Sequence, residues 1–285
     1  GKEFFQGRYV VIATGAVPIM EGIPGSDLPG VWDSDRLLAA KTWSFDRLTI
    51  IGGGVIAVEL ATIFNNLCSH VTIVEKRKHL MGPMDTVMSQ ELESTLRQKG
   101  IALYCDCTVA DIYQGEGGLW CRIEPNDGGE PVTTRAGQVL AAIGRRPNTA
   151  GLTGPDVSLK MDGAKIAVSP EFETSEPGVY AIGDVCTRTQ LAHVAAAEAV
   201  YVVERLAKRP HSIRLKAVPN GMFVALPIVP NCIYTDPEIA TVGITEEEAK
   251  RAGLKVRCGH FSMKENGKSI ISGAENGFIR LVFEA

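Results

Sequence analysis

Ile50-Ile51-Gly52-Gly53-Gly54-Val55-Ile56-Ala57-Val58-Glu59 reads as a buried strand that runs through glycines straight into a helix. Gly52 permits the tight reversal, and Gly54 lacks the side chain that would keep a phosphate away from the backbone N–H groups at the helix start. The third position of the G-x-G-x-x-G/A pattern is Ala57, small enough for close packing of helix on strand. Val58, Leu60, Ala61, Ile63 and Phe64 are expected to form the buried helical face, with the helix ending near Asn65-Asn66. His70-Val71-Thr72-Ile73-Val74 reads as the second parallel strand, and Glu75 ends it. The interval from Gly52 to Glu75 matches the spacing of roughly 20 residues between the first glycine and a ribose-binding carboxylate. A glycine-rich turn alone would say little, but strand, helix and acid in this order describe a dinucleotide site. Glu75 would accept from the ribose hydroxyls and repel a 2′-phosphate, which favours NAD over NADP, while Lys76, Arg77 and Lys78 act against that preference.

With 285 residues, 45% apolar and 22% charged, the chain has material for about two domains with substantial cores. A net charge of −4 and a pI near 5.8 leave no basic footprint, so nucleic acid is not an expected partner. No apolar run approaches the ~20 residues needed to span a bilayer, and the start lacks the pattern of a signal peptide, so no membrane association and a cytoplasmic location are expected. The seven cysteines, Cys68, Cys105, Cys107, Cys121, Cys186, Cys232 and Cys258, lack paired metal-ligand spacing and read as reduced thiols; no metal site is expected. Cys105 and Cys107 are expected on one side of a strand, as small core residues rather than a metal or redox pair.

Residues 8–18 read as a buried-type strand of a sheet completed elsewhere, ending at a small-residue turn and a proline-rich stretch through Pro29, so an open sheet edge and exposed apolar surface are expected at residues 9–13. A short helix at residues 35–41, a strand at 48–51, an amphipathic helix at 88–99 stopped by Gly100 and a strand at 101–105 follow. Residues 108–135 alternate strand-like runs with glycine turns, an antiparallel meander, and a separate buried strand starts at Gln138. Gly178 to Gly183 forms a strand that delivers Asp184, and an alanine-rich helix covers residues 191–206. Beyond it, Pro219, Pro227, Pro230 and Pro237 separate short strands, with a helix at residues 245–252. No internal repeat is visible.

Asp184 stands where a strand gives way to a helix, placed either to bond a cofactor polyol or to cap that helix. Glu59 suits a surface charge or a crevice that a nicotinamide would enter. His193, in an alanine-rich stretch, suits a packed role, and Arg145 with Arg146 suits a solvated strand exit or a phosphate contact.

Taken in order, Ala13-Thr14-Gly15, the glycine segment through Glu59, Ala142-Ile143-Gly144-Arg145-Arg146-Pro147-Asn148, Tyr180-Ala181-Ile182-Gly183-Asp184-Val185 with Leu191-Ala192-His193, and Tyr234-Thr235-Asp236-Pro237-Glu238-Ile239-Ala240 resemble the flavin-dependent pyridine nucleotide–disulfide oxidoreductases, most closely their dihydrolipoamide dehydrogenase branch. The resemblance spans essentially the whole chain. It implies an α/β, doubly wound FAD/NAD(P)-binding fold in which an NAD-binding domain (residues 46–148) is inserted in an FAD-binding domain (residues 1–45 and 149–215), followed by the start of an α+β dimerisation domain (residues 216–285). It implies that Gly52, Gly53, Gly54, Val55, Ile56, Ala57, Val58, Glu59, Glu75, Val109 and Gly144 hold NAD, with Glu59 near flavin and nicotinamide. It implies that Thr14, Gly15, Asp184, Gln190, Leu191, Ala192 and His193 lie against FAD. A homodimer, and lipoyl domains of 2-oxo acid dehydrogenase complexes as partners, are implied in the same way, as is the reaction of dihydrolipoamide with NAD to give lipoamide and NADH.

The departures are specific. The family's redox pair C-x-x-x-x-C is absent, since no two cysteines have that spacing, and so is its His-Pro pair with an acidic partner. The chain thus reads as the middle and rear-middle of a longer enzyme, with no catalytic residue of its own and no activity expected in isolation. Ala199 stands where the family has a glycine. Glutathione reductase, mercuric reductase and soluble transhydrogenase share much of the pattern, and a non-catalytic NAD-binding module is the alternative from another class.

Overall fold

The computed structural model describes residues 3–41, 45–67, 69–82, 84–187, 189–213, 216–217, 224–225 and 229–285. Cys68, Pro219 and Pro227 lie outside the described residues. Along the chain, β1 (Val10–Ile12), β2 (Ala16–Pro18), β3 (Val31–Asp33) and α1 (Ser34–Ala39) precede β4 (Arg47–Ile51), α2 (Val55–Asn66), β5 (His70–Glu75), α3 (Thr86–Gln98) and β6 (Ala102–Cys105). Next come β7 (Cys107–Gly115), β8 (Gly118–Pro125), β9 (Val132–Ala141), β10 (Arg145–Pro147), β11 (Met161–Asp162) and β12 (Lys165–Ile166). β13 (Val179–Ala181) leads through a 3-10 turn (Gly183–Val185) to α4 (Ala192–Leu206), followed by β14 (Lys216–Ala217) and β15 (Val224–Ala225). The chain closes with β16 (Asn231–Ile233), β17 (Ile239–Thr241), α5 (Glu246–Arg251), β18 (Val256–Ser262), α6 (Gly267–Ile271) and β19 (Phe278–Glu284). Two compact units result, one from residues 1–18 and 145–229, the other from residues 19–144 and 230–285.

The larger unit is built on a seven-stranded sheet of order β6-β5-β4-β9-β8-β7, with β3 also on β9. β3, β4, β5, β6 and the end of β9 are parallel, whereas β7, β8 and the start of β9 form an antiparallel meander. Residues 19–45 therefore contribute β3 to this sheet, although the sequence grouped them with the first segment. Because side chains alternate along a strand, the sheet has two apolar faces. Leu48, Ile50, Val71, Ile73 and Leu140 pack under Ala57, Val58, Leu60, Ala61 and Phe64 of α2 and Leu92 and Leu96 of α3. Ile51, Val74, Val139 and Ala141 point the other way and meet Val109, Ile112, Cys121 and Ile123 of the meander. Ile63, expected in the buried stripe of α2, is 46% exposed, since it lies round the helix from the Ala57, Ala61 and Phe64 row.

Three expectations need correction. The last strand of the meander and the buried strand starting at Gln138 are one strand: β9 pairs antiparallel with β8 over its first half and parallel with β4 over its second. Cys105 and Cys107 do not share a face. Cys105 ends β6, Cys107 begins β7, and Asp106 between them has a φ of +56° that turns the chain. Cys105 faces the α2/α3 core, and Cys107 the opposite one. Third, residues 8–18 are not one strand but split at Gly15 into β1 and β2; the exposure of Val10 and Val11 of β1, 51% and 40%, agrees with the open sheet edge expected there. Among the described residues β1 pairs only with β13, so this part of the smaller unit is not a doubly covered strand.

Within the larger unit, residues 230–285 pack on residues 19–144 through specific contacts. Ile233, with no exposed surface, enters the α2/α3 core. Arg280 of β19 pairs with Asp85, the N-cap of α3, at 3.7 Å and with Glu246 of α5; Thr86 donates to Glu247 at 2.7 Å; Lys99 pairs with Asp236. The Lys250 hydrogen bond, aided by Cys258 and Arg280, lowers the Glu246 carboxyl to about 2. The opposite face of the β18–β19 hairpin is bare: Ile279, Leu281 and Phe283 alternate on it beside Phe261, all 43–53% exposed.

The double role of β9 gives a graded expectation. Leu140 is fully buried, so Leu140→Ala should lower stability by about 3 kcal/mol. Val132, 40% exposed on the same strand, should cost under ~1 kcal/mol when changed to Ala. Urea denaturation of both variants checks this; equal losses would contradict the assignment of the two halves.

Candidate nucleotide-binding sites

The glycine turn of the larger unit owes its shape to its neighbours. Gly52 has a φ of +109°, its N–H donates to Val74 O at 2.8 Å, and a Cβ there would collide with the carbonyl of Ala142. The Ala142 N–H in turn donates to Ile51 O at 2.8 Å, so the end of β9 closes against the turn. Gly53 is equally confined: a Cβ would lie 2.6 Å from Leu80 and 2.9 Å from both Cγ and Oε2 of Glu75. Gly54 differs. It is exposed, has open space where a side chain would be, and caps α2 without a side-chain hydrogen bond. The first-turn N–H groups of Val55 and Ile56 have no acceptor within an α-helix of this start, and the first turn bears no acidic residue. A pyrophosphate fits this place sterically and electrostatically, because the helix dipole is positive there.

Glu75 lies half-buried at the end of β5, next to the turn. Its Oε1 accepts from Arg77 N–H at 2.8 Å, which fixes the carboxylate and leaves Oε2, near Gly53, directed at the cradle. Lys76, Arg77 and Lys78 are exposed. Ala57 and Val58 are buried under the sheet and shape the cradle from below. Val109 is also buried, so only its backbone can face a ligand; the β7–β8 register shifts between Val109 and Asp111. Gly144, exposed with a φ of +142°, accepts from Ile19 N–H at 3.0 Å. Glu59 is half-buried, and its Oε1 accepts from Tyr234 N–H at 2.9 Å.

In the smaller unit, Thr14 and Gly15 follow β1. The Thr14 hydroxyl donates to Asn148 O at 2.7 Å, and Asn148 N–H donates to Gly15 O at 2.9 Å, which ties the turn to the end of β10. Arg145 donates to Ala16 O at 2.6 Å. Asp184 lies half-buried in the 3-10 turn after β13, at the carboxyl end of that strand, rather than as the cap of α4, whose N-cap is Leu191. Gln190, Ala192 and His193 are exposed around the uncapped start of α4, and His193 is therefore not a packed core residue. A half-buried carboxylate on a fixed turn suits ligand hydroxyls.

Glu198 was not singled out in the sequence. It is 1% exposed, its Oε2 accepts from Gly183 N–H at 2.7 Å, and among the described residues Oε1 has no hydrogen-bond partner. The signal was the row Val194, Glu198, Val202, one acid in an otherwise buried apolar stripe of α4. Burial raises its carboxyl from 4.5 to about 7, with the Gly183 bond opposing and the Asp184 charge adding to the rise. Cys186, Cys105 and Cys121 are likewise raised, chiefly by burial, which marks them as unreactive thiols. Among the described residues no group of His, Cys, Asp and Glu has a metal-binding arrangement, and no helix is long and apolar enough to cross a membrane.

A raised carboxyl contributes stability fully below its unfolded value near 4.5, and that contribution is lost as pH rises through about 7. Stability should thus fall between acidic and mildly alkaline pH by on the order of 2 kcal/mol. Urea melts across that range should show the fall in the native chain and a flatter profile in Glu198→Gln.

Residues 1–199 match the family described as pyridine nucleotide-disulphide oxidoreductase, and residues 229–285 match its dimerisation domain. The chain is 34% identical to the dihydrolipoyl dehydrogenase of Thermus scotoductus over 286 aligned positions, covering 99% of this chain and 59% of that protein. It is 34% identical to the dihydrolipoyl dehydrogenase of Bacillus subtilis, covering 96% of this chain and 56% of the other. The chain thus spans a little over half the length of these relatives. Among solved structures, the HOCl-induced flavoprotein disulfide reductase RclA from Escherichia coli, in its Cu(II) complex, is similar with a TM-score of 0.82 and 25% identity, over 98% of this chain and 60% of that one. LpdA from Mycobacterium tuberculosis is similar with a TM-score of 0.78 and 25% identity, over 97% and 57%. With that family matched over residues 1–199 and relatives 34% identical across nearly the whole chain, the chain belongs to the pyridine nucleotide-disulphide oxidoreductase family.

Proposed function

We propose that this chain provides the nucleotide-binding parts of an NAD-linked flavoprotein of the dihydrolipoyl dehydrogenase type, which converts dihydrolipoamide and NAD to lipoamide and NADH. The observation that supports this best is the placement of Glu75 Oε2 beside the Gly53–Gly54 cradle. Gly52, Gly53, Gly54, Val55 and Ile56 would hold the NAD pyrophosphate through backbone N–H groups, and Glu75 would accept from the adenosine ribose. Ala57, Val58, Val109 and Gly144 would shape the walls. In the smaller unit, Asp184 would accept from FAD hydroxyls, with Thr14, Gly15, Gln190, Leu191, Ala192 and His193 around it. When bound, NAD and FAD supply the hydride chemistry between nicotinamide and flavin. No cysteine pair of this chain has the C-x-x-x-x-C spacing, so its own residues bind and orient rather than exchange disulfides.

A homodimer is part of the proposal. It is supported by the match of residues 229–285 to the dimerisation domain and by the bare apolar row Ile279, Leu281 and Phe283. Lipoyl domains are the proposed protein substrates.

Two measurements test this reading. Glu75→Arg should weaken NADH binding by about tenfold and narrow or invert the NADH/NADPH ratio, because a charge-assisted pair is lost and a cation introduced; an unchanged ratio in fluorescence titrations would remove Glu75 from ribose recognition. Leu281→Glu should shift the protein towards monomer in sedimentation velocity without changing NADH affinity; a dimer of undiminished stability would move the interface elsewhere.

A further inference from the structure

The peptide of Gly183 is held at both ends. Its carbonyl accepts from the N–H groups of Cys186 and Thr187, both at 2.9 Å, and from Thr187 Oγ1 at 3.1 Å. Its N–H donates to Glu198 Oε2. Gly183 has a φ of +71°, and a Cβ would come within 3.1 Å of the Ala195 methyl, so α4 packs directly against the turn. Asp184 follows at once, and its only freedom is that of its side chain and the peptide plane that Gly183 fixes.

Glu198 is a costly way to hold one N–H. A buried carboxylate with a second oxygen lacking a partner is disfavoured in its charged form, and an alanine at this place would leave only a backbone N–H to satisfy. The nearby Asp184 charge adds to that cost. A residue with this cost and this single contact acts on what the contact orients.

We propose that Glu198 is the positioning residue for Asp184, fixing through Gly183 N–H the turn that presents the Asp184 carboxylate to the hydroxyls of a polyol ligand. The proposal rests on the reading of Asp184 given above, and its test separates the two. Glu198→Gln keeps the acceptor and supplies an amide in place of a proton, whereas Glu198→Ala removes the contact.

In the isotopically labelled full chain, Glu198→Ala should accelerate amide hydrogen exchange of Gly183 by about tenfold or more, while the Val202 amide in α4 stays within about threefold. Glu198→Gln should retain native exchange at Gly183 and abolish the pH dependence of the Gly183 amide shift near neutrality. Unchanged Gly183 exchange in the alanine variant, or pH-dependent shifts that persist in the glutamine variant, would overturn the proposal; should the alanine variant not fold, the glutamine shifts decide. Titration with FAD, followed by flavin fluorescence, should show about tenfold weaker binding for Glu198→Ala and Asp184→Ala and near-native binding for Glu198→Gln. FAD binding insensitive to Asp184→Ala, or absent in the native chain, would defeat the reading of Asp184, and the exchange data would still decide the role of Glu198.

Discussion

The larger unit depends on β9. One ten-residue strand is hydrogen-bonded antiparallel to β8, then parallel to β4 and β3, so it joins the meander to the parallel sheet without a loop. That continuity gives the sheet its second apolar cover: Val139 and Ala141 lie against the meander residues while Leu140 lies under the helices. It also reaches the site. The strand runs out at Ala142, whose carbonyl occupies the space a Cβ on Gly52 would need. The glycine is thus required by the sheet before any ligand is considered, and the open turn at Gly54 inherits a backbone already fixed on both sides.

Much of this was legible because it is local. The strand–glycine–helix segment, the acid ending β5 and the stop at Gly100 each depend on residues within one βαβ unit, where propensity, small side chains and the helix period agree. β9 was not legible as one strand. Val132-Thr133-Thr134-Arg135 looks like a solvent-facing hairpin strand and Val139-Leu140-Ala141 like a buried parallel one, and only partners far apart in sequence make them continuous. Asp106 hid a turn in the same way: an aspartate tolerates positive φ, but nothing adjacent announces it, so Cys105 and Cys107 read as neighbours on one face.

The site residues divide along the same line. Glycines and strand-end acids declare themselves by position. Glu59 and Glu198 do not, since what they bind is set by tertiary packing: Tyr234 N–H for the first, Gly183 N–H for the second. Glu198 left a trace as an acid in the buried row of α4, whereas Glu59 was visible as an acid but its partner Tyr234 lies too far along the chain to be read from it.

Gly52 and Gly183 solve one problem in two ways. Each ends a strand with positive φ, and each commits its N–H before the functional residue that follows. Gly52 gives that N–H to the carbonyl of Val74, a backbone acceptor with no titration, so the cradle at Gly54 is insensitive to pH on this account. Gly183 gives it to a carboxyl that burial has lifted to about 7, so the turn bearing Asp184 is held by a group that changes charge near neutrality. The two turns share backbone geometry and differ in the chemistry of a single acceptor. Of the two acceptors, only the Glu198 carboxyl titrates.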